Sequence, residues 1–161
     1  MTPAPIPAND AERLRALREL LILDTPPEER FDHFVEFAAS EFDVPIALIC
    51  LVDSDRQWFK ASVGLEACET SREVSFCGHT IVQRELFEVP DATRDPRFAD
   101  NPLVAGAPFI RFYIGAPLTL ACGATIGTLC LIDTRPRHLD ALDRRILCTL
   151  RDLVVAELGA P

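Results

Sequence analysis

The stretch SFCGHTI, residues 75–81, sets Cys77 and His79 two positions apart behind Phe76. A thiol near an imidazole can ligate a metal, attack a substrate, hold a chromophore or line a pocket, and each use demands companions elsewhere in the chain. A structural zinc site lacks them: no CxxC spacing occurs, and the three histidines are scattered at 33, 79 and 138. A thiol nucleophile is disfavoured as well, because positions i and i+2 of a helix point to different sides, which opposes a direct bond between Cys77 and His79. Phosphoryl chemistry finds neither a GxxxxGKS/T loop nor a glycine-rich cradle. A single histidine on an apolar helical face is most often a hydrogen-bonded core residue, not a haem ligand. SFCGHTI therefore reads as a wall: Phe76 packs, while Cys77 and His79 line the cover of a pocket. No catalytic residue, metal ligand or cofactor is assigned.

A ligand beside that wall needs aromatic faces and a few fixed polar groups. The aromatic candidates are Trp58, Phe59, Phe98, Phe112 and Tyr113, and the polar ones Asp91, Arg94 and Asp95. Each has an ordinary rival role. Trp58 can seal a strand edge, and Asp91 can cap the turn after Pro90.

The chain that positions these residues has 161 residues, enough for one packed domain, and its 48% hydrophobic and 25% charged content argues against disorder. Twenty-five acidic against sixteen basic residues leave a net charge of -9, with no basic run to replace the counterions of a phosphate backbone; nucleic acid is not an expected partner. The opening MTPAPIPAND has no basic start before an apolar stretch, so a cytoplasmic protein with six free thiols is expected. The uncharged run 112–132 mimics a membrane helix, but Pro117, Gly115, Gly127 and the Cys122-Gly123 step split it into two β-prone halves around a turn. No membrane partner is expected.

Periodicity places the elements. Residues 1–8, with three prolines, form a flexible arm. A capping box at Asn9 and Glu12 opens a helix over 10–22; Thr25, Pro26 and Glu28 open a second, lined by Phe31, Phe34, Val35, Ala38 and Phe42. IALICLVD is a central strand buried on both faces. RQWFKASVG is its hairpin partner, alternating Gln57, Phe59 and Ala61 against Trp58, Lys60 and Ser62. Residues 65–85 run from a polar loop into a short helix bearing SFCGHTI. A strand at LFEVPD, a long cover loop, the 112–132 hairpin and a helix over 140–158 follow, with Gly159 as its C-cap. LCLID at 129–133 echoes ICLVD at 49–53, which suggests neighbouring centre strands. Connections this short exclude most parallel crossovers. The expected fold is α+β: an antiparallel sheet of five to six strands, the N- and C-terminal helices packed on one face, the short helix and loops covering a pocket on the other.

AERLRALRELLILDTPPEERFD, VPIALICLVDSDRQWFKASVGL, REVSFCGHTI, VPDATRDPRFADNPLV, FYIGAPL and IGTLCLID, in this order and spacing, resemble the GAF domains at the front of bacterial sensor histidine kinases and diguanylate cyclases. The resemblance spans 9–158, leaving 159–161 as a tail. It implies a six-stranded antiparallel sheet, a pocket for a small molecule and terminal helices that relay a signal or form a homodimer. The implied role is non-catalytic sensing, with a small-molecule ligand, a kinase or cyclase output domain, or a partner protein. No output domain follows Pro161, which fits an excised sensor or a module acting on a separate partner. Free methionine-(R)-sulfoxide reductases are similar too, with Cys68 and Cys77 where two of their cysteines fall, but the stretch after VPD offers no third, the one that looks like the nucleophile. The third alternative is a ligand-free interaction module.

Overall fold

The computed structural model describes residues 1–160, so the last residue of the 159–161 tail lies outside the described residues. Six strands form one antiparallel sheet: β1 (Ile46–Val52), β2 (Arg56–Val63), β3 (Glu69–Ser71), β4 (Phe87–Val89), β5 (Phe112–Thr119) and β6 (Thr125–Asp133), in the spatial order β3-β2-β1-β6-β5-β4. The echoing strands lie side by side at its centre, with Ile49 opposite Leu129 and Leu51 opposite Gly127. Gly127 is required there, because a Cβ would overlap the Cys50 carbonyl. Both echoes end in a buried aspartate serving one purpose: Asp53 accepts from the Ser54 amide at 2.8 Å and Asp133 from the Thr134 amide at 2.7 Å, closing the corner at each strand end.

Two apolar layers flank the sheet. On one face Ala47, Ile49, Leu51, Phe112, Ile114, Leu129 and Leu131 meet α1 (Asp10–Glu19), α2 (Glu29–Glu41) and α5 (Ala141–Leu158). Here α5 lies beside α2, and Arg30 binds Glu157 across them at 3.2 Å. On the other face Leu48, Cys50, Tyr113, Cys130 and Ile132 meet α3 (Phe76–Thr80), α4 (Pro102–Ala105) and the 3-10 turn Ala92–Arg94. The single-residue alternation of a strand produces this division: Phe112 faces the long helices and Tyr113 the cover.

Several local expectations change for physical reasons. α1 ends at Glu19, not 22, because Leu21 takes a left-handed φ of 54°, and Asn9 makes no side-chain cap bond. α2 starts at Glu29 rather than at Thr25: Pro26 and Pro27 disfavour helical backbone in the residues before them, and Lys60 claims the segment. Its ammonium, buried, donates to Thr25 Oγ1 at 2.8 Å and Pro26 O at 2.7 Å and pairs with Glu28 at 2.6 Å. In β2 the predicted alternation stops at Lys60. Cys50 pairs with Phe59 and Ile49 with Ala61, so Lys60 is the extra residue of a β-bulge and Ala61 joins Trp58 on the helical face. Residues 69–71, read as loop, form edge strand β3. The arm at 1–8 lies along the cover, with the Thr2 amide donating to Arg97 O at 3.0 Å and the Ala4 amide to Glu73 O at 3.1 Å.

Candidate functional site

Ser75 fixes the start of α3: its Oγ accepts from the Gly78 amide at 3.0 Å and donates to Arg72 O at 2.7 Å. Gly78 is the residue that fits, since a Cβ there would collide with Ala4 Cβ and Ser75 Oγ. So anchored, the one-turn helix lowers Phe76 and Cys77 onto the sheet. Phe76 stacks on Phe98 at 4.1 Å between centroids and tilts against Tyr113 at 5.2 Å. His79 meets the edge of Phe98 at 4.7 Å, and the Arg97 guanidinium lies over the rings of Phe87 and Phe98 at 5.0 and 5.4 Å. The polar part lies deeper. Tyr113 Oη is 2.8 Å from Thr80 Oγ1 and donates to Cys77 Sγ at 3.4 Å; Thr128 Oγ1 donates to the same sulfur at 3.2 Å. Gly115 leaves room for the two hydroxyls, as a Cβ there would meet both.

Against this wall lies a cavity of about 40 Å³, lined among others by Gln57, Phe59, Phe76, Cys77, Tyr113 and Ile132. Of the eleven sequence candidates, the structure gathers Phe59, Phe76, Cys77 and Tyr113 at the cavity and sets His79 and Phe98 in the adjoining aromatic cluster. The other five lie elsewhere. Trp58 and Phe112 belong to the layer under the long helices, because strand alternation turns them away from the cover. Asp91, Arg94 and Asp95 line an open surface groove with Pro90, Pro136 and Arg137, where Asp91 caps the 3-10 turn through the Thr93 amide. Sequence reasoning missed Gln57, Cys50, Thr128 and Cys130. The echo of ICLVD and LCLID contained the signal for two of them: paired centre strands put Cys50 and Cys130 on one face.

Burial holds the His79 imidazole below its ordinary pKa of 6.5, with Arg97 adding to the effect and a hydrogen bond to the Thr2 backbone and Asp95 opposing it. At the other end of α3 a charge network reaches the first helix. Buried Arg72 donates to both Asp10 oxygens at 3.0 and 2.8 Å and to Asp53 O at 3.0 Å. Arg13, 1% exposed, shares Asp10 at 2.9 Å. Burial alone would raise the Asp10 carboxyl; the bonds from Arg72 and Arg13 outweigh it and hold the group below its ordinary value. Among the described residues no group of three or more His, Cys, Asp or Glu side chains is placed to hold a metal ion.

A sandwich of this order, with a one-turn helix lidding the sheet opposite the terminal helices, has known counterparts. The sequence profile of the GAF domain matches residues 26–158. The chain belongs to the GAF domain family. It is 47% identical over 137 residues to the cyclic di-GMP phosphodiesterase PA2567 of Pseudomonas aeruginosa, an alignment covering 85% of this chain and 23% of that protein. This GAF domain thus spans under a quarter of the relative's length. Among solved structures it resembles the GAF domain of an Acinetobacter phosphoenolpyruvate-protein phosphotransferase, with a TM-score of 0.69 at 20% identity over 95% of this chain and 94% of that one. It also resembles the free methionine-R-sulfoxide reductase of Neisseria meningitidis solved with its substrate, with a TM-score of 0.66 at 18% identity over 98% and 95%. At these identities the structural likeness concerns the fold.

Proposed function

We propose that this GAF domain is a non-catalytic sensory module: a small molecule under α3 shifts the population of cover arrangements, and the terminal helices pass that shift to an output domain. One observation carries the reading. Tyr113 bonds Cys77 at the cavity, the α3 backbone joins Cys77 to the Ser75 cap, and Ser75 bonds Arg72, which bonds Asp10 on α1. A change in how α3 seats has a mechanical route to the first helix without passing through the sheet. The ligand-binding set we assign is Phe59, Phe76, Cys77 and Tyr113, with His79 and Phe98 behind it.

The relative's name supports one kind of partner. An output domain that turns over cyclic di-GMP is the leading candidate, acting in the cytoplasm, with a second copy of the chain docked through the exposed stripe of α5. No helix of the described residues is long and apolar enough to cross a membrane. The reductase reading has less support: Cys68 is exposed and lines an open groove beside Trp58 and Lys60, whereas Cys77 is buried against Cys130.

Native mass spectrometry of the chain as purified, together with turnover assays on the same sample, tests the proposal. A retained small molecule and no turnover is the expected result. Hydrolysis of cyclic di-GMP, or reduction of free methionine-(R)-sulfoxide at the expense of a dithiol, by this chain alone overturns the non-catalytic reading.

A further inference from the structure

Three of the six thiols converge where α3 crosses the centre of the sheet. Cys50 projects from β1, Cys130 from β6 and Cys77 from α3, and all three are buried. Cys77 Sγ lies 3.9 Å from Cys130 Sγ, while the Cys50 thiol donates to Gln57 Oε1 at 3.3 Å. Packing alone does not call for this arrangement, since a buried thiol among apolar neighbours behaves as an inert small hydrophobe. Here two hydroxyls, those of Thr128 and Tyr113, are aimed at one sulfur of the three. Thr80 can give its proton to the Tyr113 oxygen at 2.8 Å, which leaves the phenol proton for Cys77.

The three thiols are thereby made unequal. Burial raises the Cys77 thiol, but the close Cys130 sulfur and the hydrogen bonds donated by Thr128 and Tyr113 outweigh it and hold the group well below its ordinary value. Burial pushes Cys50 and Cys130 well up. One favoured thiolate against a protonated thiol is the pairing of an attacking and a resolving cysteine.

Cys77 is also one of the residues that line the cavity. At about 40 Å³ the space is well short of the roughly 300 Å³ at which pockets for drug-sized ligands begin. It accepts about four water-sized groups at most, since one needs roughly 10–15 Å³. Gln57 and Thr70 add polar atoms to an otherwise apolar lining. A diatomic or two-oxygen molecule fits without displacing the cover; a nucleotide or tetrapyrrole does not.

We propose that Cys77 and Cys130 form a peroxide-responsive dithiol, in which hydrogen peroxide entering the cavity is reduced and α3 becomes covalently pinned to β6. The Cys77 thiolate attacks one peroxide oxygen, the O–O bond breaks, and the departing hydroxide takes up the proton the thiol had released and leaves as water. Cys77 is now a sulfenic acid. Cys130 sulfur attacks that sulfur, the S–S bond forms, and the sulfenic hydroxyl leaves with the Cys130 proton as a second water. Two thiols have lost two electrons and two protons, and one peroxide has become two waters. Closing the bond draws the sulfurs together by about 2 Å, and α3, a single turn at the end of a loop, is the element that moves. Its Ser75 cap then pulls on Arg72 and so on Asp10 of α1. This signalling consequence rests on the sensory reading above; the thiol chemistry does not.

The test uses peroxide on the chain with Cys68, Cys122 and Cys148 changed to serine, in parallel with the unsubstituted chain, followed by rapid alkylation and non-reducing peptide mapping. The expected product is a Cys77–Cys130 disulfide that dithiothreitol reverses. Cys130→Ser should stop at a dimedone-trappable sulfenic acid on Cys77, and Thr128→Val should slow oxidation about tenfold, the worth of one hydrogen bond to a charged group. Mapping in the unsubstituted chain keeps the result decisive should the triple variant fail to fold. The proposal falls if Cys77 and Cys130 stay reduced under conditions that oxidise Cys68. Hydrogen exchange along residues 10–19, measured before and after oxidation, reads the relay separately: a disulfide with unchanged exchange leaves the dithiol standing and removes the sensory coupling.

Discussion

His79 is the clearest titration probe in the molecule. It is buried among Phe87 and Phe98, with Arg97 and Asp95 the charged groups near it, and its pKa is held down chiefly by burial. The unfolded chain takes up the imidazole proton near pH 6.5, whereas the folded one resists until a lower pH. Between those values the unfolded state binds more protons, so stability falls as pH drops from 7 through that window. We expect the thermal midpoint of the wild-type chain to decline over this range and His79→Gln to lack that part of the decline. Equal slopes in the two proteins would rule out a neutral buried imidazole. The sequence exposed this residue's surroundings only in part. Phe76 and Cys77 were legible as wall from their neighbours, but that His79 would meet Phe98 depends on a loop closing across nineteen positions, which no local pattern encodes.

At the scale of elements, close approach of backbones sets the tolerance. β6 crosses β1 with Gly127 against the Cys50 carbonyl, so Gly127→Ala must separate the two central strands; the cost is about 3 kcal/mol, at the upper end for overpacking a core. Gly123, in the β5–β6 turn, has open space around it and a φ of 92°, so Gly123→Ala should cost only about 1 kcal/mol, the strain of left-handed backbone. Urea titrations of both variants check the ordering, and a reversed order would mean that the strand pair relaxes freely. Elements with strong periodicity were readable in advance: IALICLV, the 112–132 hairpin and α5. Those fixed by distant partners were not. TPPE carried every local mark of a helix start, yet Lys60, thirty-five residues downstream of Thr25, holds it as a loop, and the bulge at Lys60 moved Ala61 to the other face. Likewise β3 is a strand only because Gln57 and Trp58 offer it an edge.

For the whole molecule, the two faces of the sheet divide the labour. Aromatic and thiol groups lie under a thin cover on one side, and the long helices lie on the other. That division was legible because β1 is apolar at every position, which demands layers on both sides. Which strand residue faces which layer required the bulges as well. The helical side carries an uncovered apolar stripe: Leu142 and Leu153, 58% and 51% exposed, are three turns apart on α5, and Phe37, 50% exposed, lies on the adjacent α2. Ile146 and Thr149 fall between the two leucines on the same side of the helix. A stripe of this kind suits a second copy meeting it about a two-fold axis, since each α5 then presents the same surface to the other. Pairing there would couple the α5 helices of two chains and give a shift at the cover a common output. We expect sedimentation velocity to show a concentration-dependent dimer, and Leu153→Glu to raise the dissociation constant at least about tenfold by burying a charge in the seam. Because Leu153 makes no part of the core, the variant should keep its thermal midpoint at low concentration. A wild-type chain that remains monomeric at the highest soluble concentration would leave α1 and the cover as the signalling surface and remove α5 from it.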